Sequence, residues 1–302
     1  GVLALFLLFW VVIFNLSLKL TLDWFLNFSV YVSLVISLLA VYQFFVDQTL
    51  FGTVSTIYGE EVFESENVTR RAVSIFGTPQ LMGIYGSLNV AYLIIHRKSL
   101  WLYVVLLVNL FATFLSGSKS VGAFFAVFFV FYLFYNKVKP RQILPLVIGG
   151  VGLLLLSNLI PETLYGRAFG GINQVLLLQP DVRVDIWFHY LNLEDPVVFL
   201  LGHGVGTADR IVFNTFQFGV DQPESFILKL YYEIGVIGCV LFLAVYFVAI
   251  KNVGKHDKKF APIFYGFLTN IAFVPAFAGL PISFFFSAFL SQCRIRQRRY
   301  SG

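Results

Sequence analysis

Nine apolar stretches, each close to the length of a membrane-crossing helix, dominate this sequence of 302 residues. Hydrophobic residues make up 58% of the chain and charged residues only 12%, which is too few to cover a water-exposed surface. A helix needs roughly 20 apolar residues to cross about 30 Å of hydrocarbon, and open strand edges are not tolerated in lipid. The sequence therefore predicts an all-α, polytopic transmembrane helix bundle of about nine spans, at residues 2–18, 24–46, 80–96, 99–116, 120–135, 143–160, 225–250, 260–277 and 281–293.

The basic residues predict how these spans are oriented, because Lys and Arg concentrate in cytoplasmic connections. If the first span runs inward, 14 of the 21 basic residues fall on the cytoplasmic side. The net charge of +5 then reflects membrane topology and does not indicate a nucleic-acid partner. The predicted cytoplasmic basic residues are Lys19, Arg97, Lys98, Lys137, Lys139, Arg141, Lys251, Lys255, Lys258, Lys259, Arg294, Arg296, Arg298 and Arg299.

Nothing in the sequence suggests a separate soluble domain, so residues 1–302 are predicted to form a single transmembrane domain. Since Gly1 leads directly into an apolar run, we expect spans N-terminal to it to be missing. Residues 161–222 are predicted to form a long extracytoplasmic loop, and connections of that length are usually functional. Within it, GHGVG at 202–206 lacks the strand–turn–helix context of a phosphate-binding loop and is interpreted as a flexible loop.

Seven basic residues are predicted on the outer side, against the topological bias, and Lys229 is the one of these that has an obvious partner along its own helix. The others suit a phosphate-bearing lipid head group, for which Arg provides a planar fork and Lys a point charge. Simpler alternatives stay open: Arg183 pairs with Asp181 or Asp185, and Arg167 and Arg210 are exposed to solvent. The predicted phosphate-binding residues, for which the family resemblance given below implies a diphosphate, are Arg70, Arg71, Lys119, Arg167, Arg183 and Arg210.

Two glutamates interrupt the apolar segment QPESFILKLYYEIGVIG at residues 222–238. Glu233 is spaced i, i+4 from Lys229 and is predicted to pair with it, about two and a half turns deeper in the membrane than Glu224. Glu224 follows Pro223 at a predicted helix start. It is either a carboxylate stabilised by the helix N-terminus or a general base that faces the basic cluster. No Cys or carboxylate spacing around the histidines predicts a metal site.

Four segments, in order, resemble the O-antigen polymerase/ligase family of bacterial envelopes. RRAVSIFGTPQLMGIYGSLNVAYL resembles the family's Arg, turn and following span, and LSGSKSVGAFFAV resembles its Ser-Arg-Gly helix mouth, with Lys119 in place of Arg. VRVDIWFHYLNLEDPVVFLLGHGVGT resembles the Arg…Trp…Pro…Gly-x-Gly block, and ESFILKLYYEIGVIGCVLF resembles the re-entering segment with Glu-x-Gly-x-x-Gly. The ligase branch commonly carries His-Asn where this chain has Glu224–Ser225, so the resemblance favours a polymerase.

The resemblance implies a multi-pass protein of the bacterial cytoplasmic membrane whose active face is extracytoplasmic. It implies a glycosyltransferase that polymerises polyprenyl-diphosphate-linked oligosaccharide repeat units into O-antigen, capsule or exopolysaccharide, with the bilayer and other polysaccharide-assembly proteins as partners. In this reading Arg183 and Glu224 are catalytic, the cations stand in for a metal, and no cofactor is expected. The alternatives are an O-antigen ligase that transfers glycan to the lipid A core and a lipid-linked sugar transporter or flippase.

The orientation can be tested by labelling single cysteines with a membrane-impermeant maleimide in intact cells. A cysteine at position 203 should be labelled from outside, whereas one at position 257 should react only after permeabilisation, because the basic excess predicts opposite sides for them. The reverse pattern would invert the predicted topology.

Overall fold

The computed structural model describes residues 22–46, 72, 74–76, 79–96, 99–136, 190–191, 195–204, 207, 225–256 and 258–273. Every regular element over these residues is helical, which confirms the predicted all-α class. The helices are α1 (Leu22–Phe45), α2 (Pro79–His96), α3 (Leu100–Leu115), α4 (Lys119–Asn136), α5 (Pro196–Leu201), α6 (Phe226–His256) and α7 (Ala261–Phe273), with a 3-10 turn at Ser74–Phe76.

Six of the nine predicted spans coincide with helices of this structure, and the stretches 2–18, 143–160 and 281–293 lie outside the described residues. Two helices, α1 and α6, contain segments long and apolar enough to cross a membrane, at Phe28–Phe45 and Phe226–Val248. The other apolar helices are shorter, such as Leu100–Leu115. These two segments suggest membrane association, whereas a count of nine spans goes beyond what the described helices show.

The chain divides into two compact units. Residues 27–178 form one unit, which contains most of α1 together with α2, α3 and α4. Residues 1–26 and 179–302 form the other, which contains α5, α6 and α7.

In the first unit, α2 packs against both α3 and α4, and α1 joins them through a buried apolar cluster. Ile36, Ala40 and Phe44 of α1 meet Met82 and Tyr85 of α2 in this cluster.

The outward face of α3 is strongly apolar, because Leu100 and Leu107 are exposed. An apolar exterior of this kind suits contact with lipid. Further exposed apolar residues on α3 are Trp101, Tyr103, Val104, Leu110 and Phe111.

A seam of polar side chains crosses the interior of this first unit and ties α1 to its neighbours. The Ser29 hydroxyl donates to Asn89 Oδ1 at 3.0 Å, and the Ser37 hydroxyl donates to Asn109 Oδ1 at 3.1 Å. All four residues are buried. Buried polar groups need partners, and in apolar surroundings such bonds select one register between helices that dispersion alone would leave free to slide.

Gly86 lets α2 approach α3 more closely than any other residue would. A Cβ at this position would overlap the buried Thr113 side chain, whose hydroxyl donates to Asn109 O at 2.6 Å. Gly122 of α4 offers the contrast, because a Cβ there has nothing within 4 Å. Close packing therefore requires glycine at position 86, whereas the space around Gly122 would accept a larger residue.

We predict that Gly86→Ala destabilises the protein by about 1–3 kcal/mol, the usual cost of forcing an extra carbon into a packed interior. Gly122→Ala is the matched control and should stabilise by about 0.5–1 kcal/mol, since alanine restricts the unfolded helix segment more than glycine does. Thermal unfolding of detergent-purified protein, followed by circular dichroism, measures both. Equal melting temperatures for the two variants would contradict the close approach at Gly86.

Candidate functional site

The segment that follows the arginine pair Arg70–Arg71 is held against the ends of two helices. The Ala72 N–H donates to Leu115 O, the last carbonyl of α3, at 3.0 Å. Ser74 is held twice, because its N–H donates to Gln43 Oε1 at 2.7 Å and its hydroxyl donates to Ile36 O at 3.0 Å. Ser74 also has a φ of 51°, an uncommon value for a residue other than glycine. These bonds fix where the chain enters α2.

A tight turn at residues 116–118 connects α3 to α4 beside this segment. Gly117 takes a φ of 58°, and α4 begins at Lys119, so the predicted position of Lys119 at a helix start is confirmed. Ser118 and Ser120 join through their hydroxyls at 2.9 Å. The turn also packs closely on α2, because a Cβ at Gly83 would lie 2.9 Å from Ser116 Oγ.

The other predicted site residues, Arg70, Arg71, Arg167, Arg183, Arg210 and Glu224, lie outside the described residues, as does the side chain of Lys119. Their roles therefore stay predictions. The structure does establish the main chain next to Arg70, Arg71 and Lys119. Ala72, which follows Arg71, is bonded to Leu115 at the end of α3, and Lys119 lies four residues after Leu115.

The second unit contains a helical hairpin, which we define as residues 226–242. Helix α6 is broken at Gly235, where φ is 65° and ψ is −172°, a conformation open essentially only to glycine. The Phe226 and Phe242 rings lie 5.5 Å apart, and Cys239 Sγ lies 3.8 Å from Ile227 O. In a straight helix, residues sixteen positions apart would be separated by about 24 Å. Residues 226–234 are therefore folded back against the stretch that follows Gly235.

The hairpin gives the two glutamates a different setting from that of a single straight helix. The helix is unbroken up to Gly235, so Glu233 lies about two turns beyond the helix start, as its spacing predicts. Glu233 lies two residues before the break, near the apex of the hairpin, while Phe226 at the helix start lies level with Phe242. The helix begins after Ser225, whose hydroxyl accepts the Leu228 N–H at 3.2 Å, so Glu224 precedes the cap residue in the sequence.

The Gly-rich stretch that follows α5 is bonded to the hairpin apex. Asp195 caps α5, Pro196 begins it, and the chain leaves it at Gly202. The His203 N–H then donates to Tyr232 O, and the Gly204 N–H donates to Glu233 O, both at 2.9 Å. We call residues 202–204 the clasp. For these residues, the interpretation of GHGVG as a loop is confirmed, and the two main-chain bonds attach this part of it to the hairpin apex.

Close packing of the main chain requires glycine at both Gly202 and Gly235. A Cβ on Gly202 would overlap the main chain of Glu233, and a Cβ on Gly235 would lie 2.6 Å from Leu201 N. Each glycine also has a positive φ, 76° for Gly202 and 65° for Gly235. The loop and the broken helix therefore touch backbone to backbone.

The predicted pairing of Lys229 with Glu233 is confirmed. Lys229 Nζ lies 3.9 Å from Glu233 Oε1, and the residues are only 9% and 4% exposed. Ionisable residues inside an apolar hairpin are costly to bury and are commonly functional in membrane proteins. The pair lies in the turn of helix that leads to the clasp contact.

An exposed imidazole lies at the clasp, and sequence reasoning did not single it out. The His203 ring stacks on Tyr232, with ring centroids 4.1 Å apart and an angle of 18° between the planes. Tyr190 supports the same tyrosine edge-on at 5.0 Å. The signal available in the sequence was a histidine flanked by two glycines, but its partner Tyr232 is far along the chain and only the hairpin brings it near.

No candidate metal site is found among the described residues. Over the residues that the structure describes, no group of three or more His, Cys, Asp or Glu side chains is arranged to hold a metal ion.

Compared with known proteins, the chain matches no family model, no curated protein and no solved structure.

The hairpin can be tested by crosslinking in a background that lacks Cys239 and Cys293. Phe226→Cys with Phe242→Cys should be joined by a short bifunctional maleimide, because the two rings that they replace lie 5.5 Å apart. The control pair, Ile237→Cys with Lys251→Cys, lies in the unbroken part of α6 and should stay unlinked, since fourteen residues of helix span about 21 Å. Mass spectrometry of the protein reports both. Unlinked cysteines in both pairs would indicate a straight helix.

Proposed function

We propose that this protein is a glycosyltransferase of the bacterial cytoplasmic membrane. It polymerises oligosaccharide repeat units linked to a polyprenyl diphosphate into a surface polysaccharide. The reaction forms a bond between a sugar hydroxyl of one repeat unit and the anomeric carbon of another, and the lipid diphosphate leaves. The apolar helices and the resemblance of the four outer segments support this proposal.

The observation that carries the proposal is the bond between Ala72 N and Leu115 O. Arg70 and Arg71 immediately precede Ala72, and Lys119 begins α4 just after the turn that follows Leu115. Two segments separated by more than forty residues thus meet at Ala72 and Leu115, next in sequence to these basic residues. That convergence supports a shared anion site, because cations held on a rigid framework stabilise a phosphate without reorganisation.

In this proposal the cations bind the diphosphate and stabilise the charge that develops on it as it leaves. Arg183 contributes a planar fork that contacts two phosphate oxygens at once. Lys119, Arg70, Arg71, Arg167 and Arg210 supply further positive charge. A cation at the start of α4 is disfavoured by the helix dipole, so an anionic ligand there would relieve an unfavourable interaction.

A lipid-linked sugar transporter is the second candidate, and a specific observation favours it. Transporters commonly carry broken helices and ionisable groups inside the membrane-embedded part. Helix α6 is broken at Gly235 and carries the buried pair Lys229–Glu233. The O-antigen ligase differs from the polymerase only in its acceptor, so the same experiment separates all three.

The test uses purified protein in liposomes with lipid-diphosphate-linked repeat units, and a gel or mass spectrum reports chain length. A polymerase makes a ladder of products. A ligase makes it only when lipid A core is supplied as acceptor, and a transporter moves the lipid between leaflets without extending the glycan. Movement without extension would overturn the proposed function.

Arg183→Lys should lower the rate of polymer formation by about 10-fold or more, because an ammonium keeps the charge but cannot replace the two-point contact. Arg141→Lys, in a predicted cytoplasmic connection, is the matched control and should leave the rate unchanged. Expression and folded fraction are compared in parallel. Near-normal polymer from Arg183→Lys would remove Arg183 from diphosphate binding.

A further inference from the structure

We propose that the imidazole of His203 accepts the proton from the attacking sugar hydroxyl. This inference rests on the proposed function and assigns its general base to the clasp, in place of the sequence-based candidate Glu224. The chemical class of the ligand is a sugar hydroxyl group of a lipid-linked oligosaccharide. The assignment follows from the way the ring is held, from which of its nitrogens is left to accept a proton, and from its exposure.

The ring is held by contacts on its main chain and on its face. The His203 N–H donates to Tyr232 O at 2.9 Å, and its neighbour Gly204 is bonded to Glu233 O. The imidazole lies flat on Tyr232, which Tyr190 supports edge-on. An exposed side chain normally samples several rotamers, so this degree of restraint is unusual. A group preorganised in this way is suited to a reaction that requires fixed geometry.

The contact at Nδ1 favours one of the two neutral tautomers of the ring. His203 Nδ1 lies 3.4 Å from Tyr232 O. A carbonyl oxygen can only accept, so this contact is a hydrogen bond when Nδ1 carries the hydrogen. In the neutral ring Nε2 is then the bare nitrogen. A main-chain carbonyl at Nδ1 is a common way for proteins to set the tautomer of a histidine that acts through Nε2.

The groups around the ring leave it open to a substrate. His203 and Gly204 are exposed. The Tyr232 phenol lies against one ring face. On the same helix the Lys229–Glu233 pair is buried behind the main-chain bonds, and Asp195 caps the opposite end of α5. Tyr190, Tyr231 and Cys239 are further ionisable groups on the elements near the clasp, and Tyr246, Lys251, Lys255 and His256 lie farther along α6.

The proposed step is balanced in atoms and electrons. The hydroxyl proton passes to Nε2, and the oxygen forms a bond to the anomeric carbon of the donor sugar. The bond between that carbon and the phosphate oxygen breaks, and the diphosphate leaves with its electron pair. The imidazolium then releases its proton to water before the next transfer.

Glu224 is less suited to this task because of where the helix begins. Ser225 caps α6, so Glu224 precedes a helix N-terminus in the sequence. The partial positive charge at that end stabilises a carboxylate and weakens it as a base. An imidazole exchanges its proton between pH 5 and 8, where a general base is most effective.

The experiment compares three variants in the liposome polymerisation assay. His203→Phe retains a flat ring to stack on Tyr232 but removes both nitrogens, and it should lower the rate by about 10²–10⁴-fold. Glu224→Gln should stay within threefold of wild type. His256→Phe, at the far end of α6, is the matched control and should also keep the wild-type rate.

A further readout separates a chemical role from a structural one. In His203→Ala, added imidazole should restore part of the rate, which a purely structural residue would not allow.

The outcomes distinguish this inference from the proposed function. Wild-type protein that makes no polymer would overturn both. Active wild type together with an active His203→Phe variant, or a Glu224→Gln variant that is folded but inactive, would overturn only the assignment of His203. A folded, inactive His203→Phe variant that still binds the lipid diphosphate and an active Glu224→Gln variant would establish it.

Discussion

The arrangement of the second unit depends on how the break in α6 is satisfied. In an unbroken helix the carbonyls of Tyr232 and Glu233 would accept from Val236 and Ile237 four residues on. At the break they accept from the N–H groups of His203 and Gly204, in the loop that follows α5. Main-chain groups in apolar surroundings are costly to leave unbonded, so a broken helix there needs a partner that supplies donors. The clasp is that partner. As a result, the clasp, helix α5 and the hairpin pack together as one arrangement.

This arrangement explains why the His203 imidazole and the buried Lys229–Glu233 pair lie near one another. The bonds that satisfy the break also fix His203, and the same turn of helix carries the buried Lys229–Glu233 pair. A flexible loop would leave the imidazole to sample many positions, at a cost in entropy whenever it had to act. Holding the loop by its backbone leaves the side chain of His203 at the surface with its orientation set.

The first unit solves a different problem by similar means. Its helices are apolar outside, so packing against lipid and packing against each other are nearly equivalent. The hydrogen bonds from Ser29 to Asn89 and from Ser37 to Asn109 distinguish the inside from the outside, and Gly86 allows the close approach. The same framework holds the segment after Arg71 against the end of α3, beside the helix that starts at Lys119.

The sequence by itself determined the helices and the ion pair, and tertiary structure decided the site. Apolar stretches of membrane length identify helices because the signal is local, and the i, i+4 spacing of Lys229 and Glu233 is likewise read within one turn. The break at Gly235 escaped prediction because an isolated glycine in an apolar helix is usually tolerated. The orientation of His203 escaped prediction because its restraints come from Tyr190 and Tyr232, which lie apart from it in the chain. Local chemistry is written in neighbouring residues, whereas an orientation set by distant backbone groups exists only once the chain has folded.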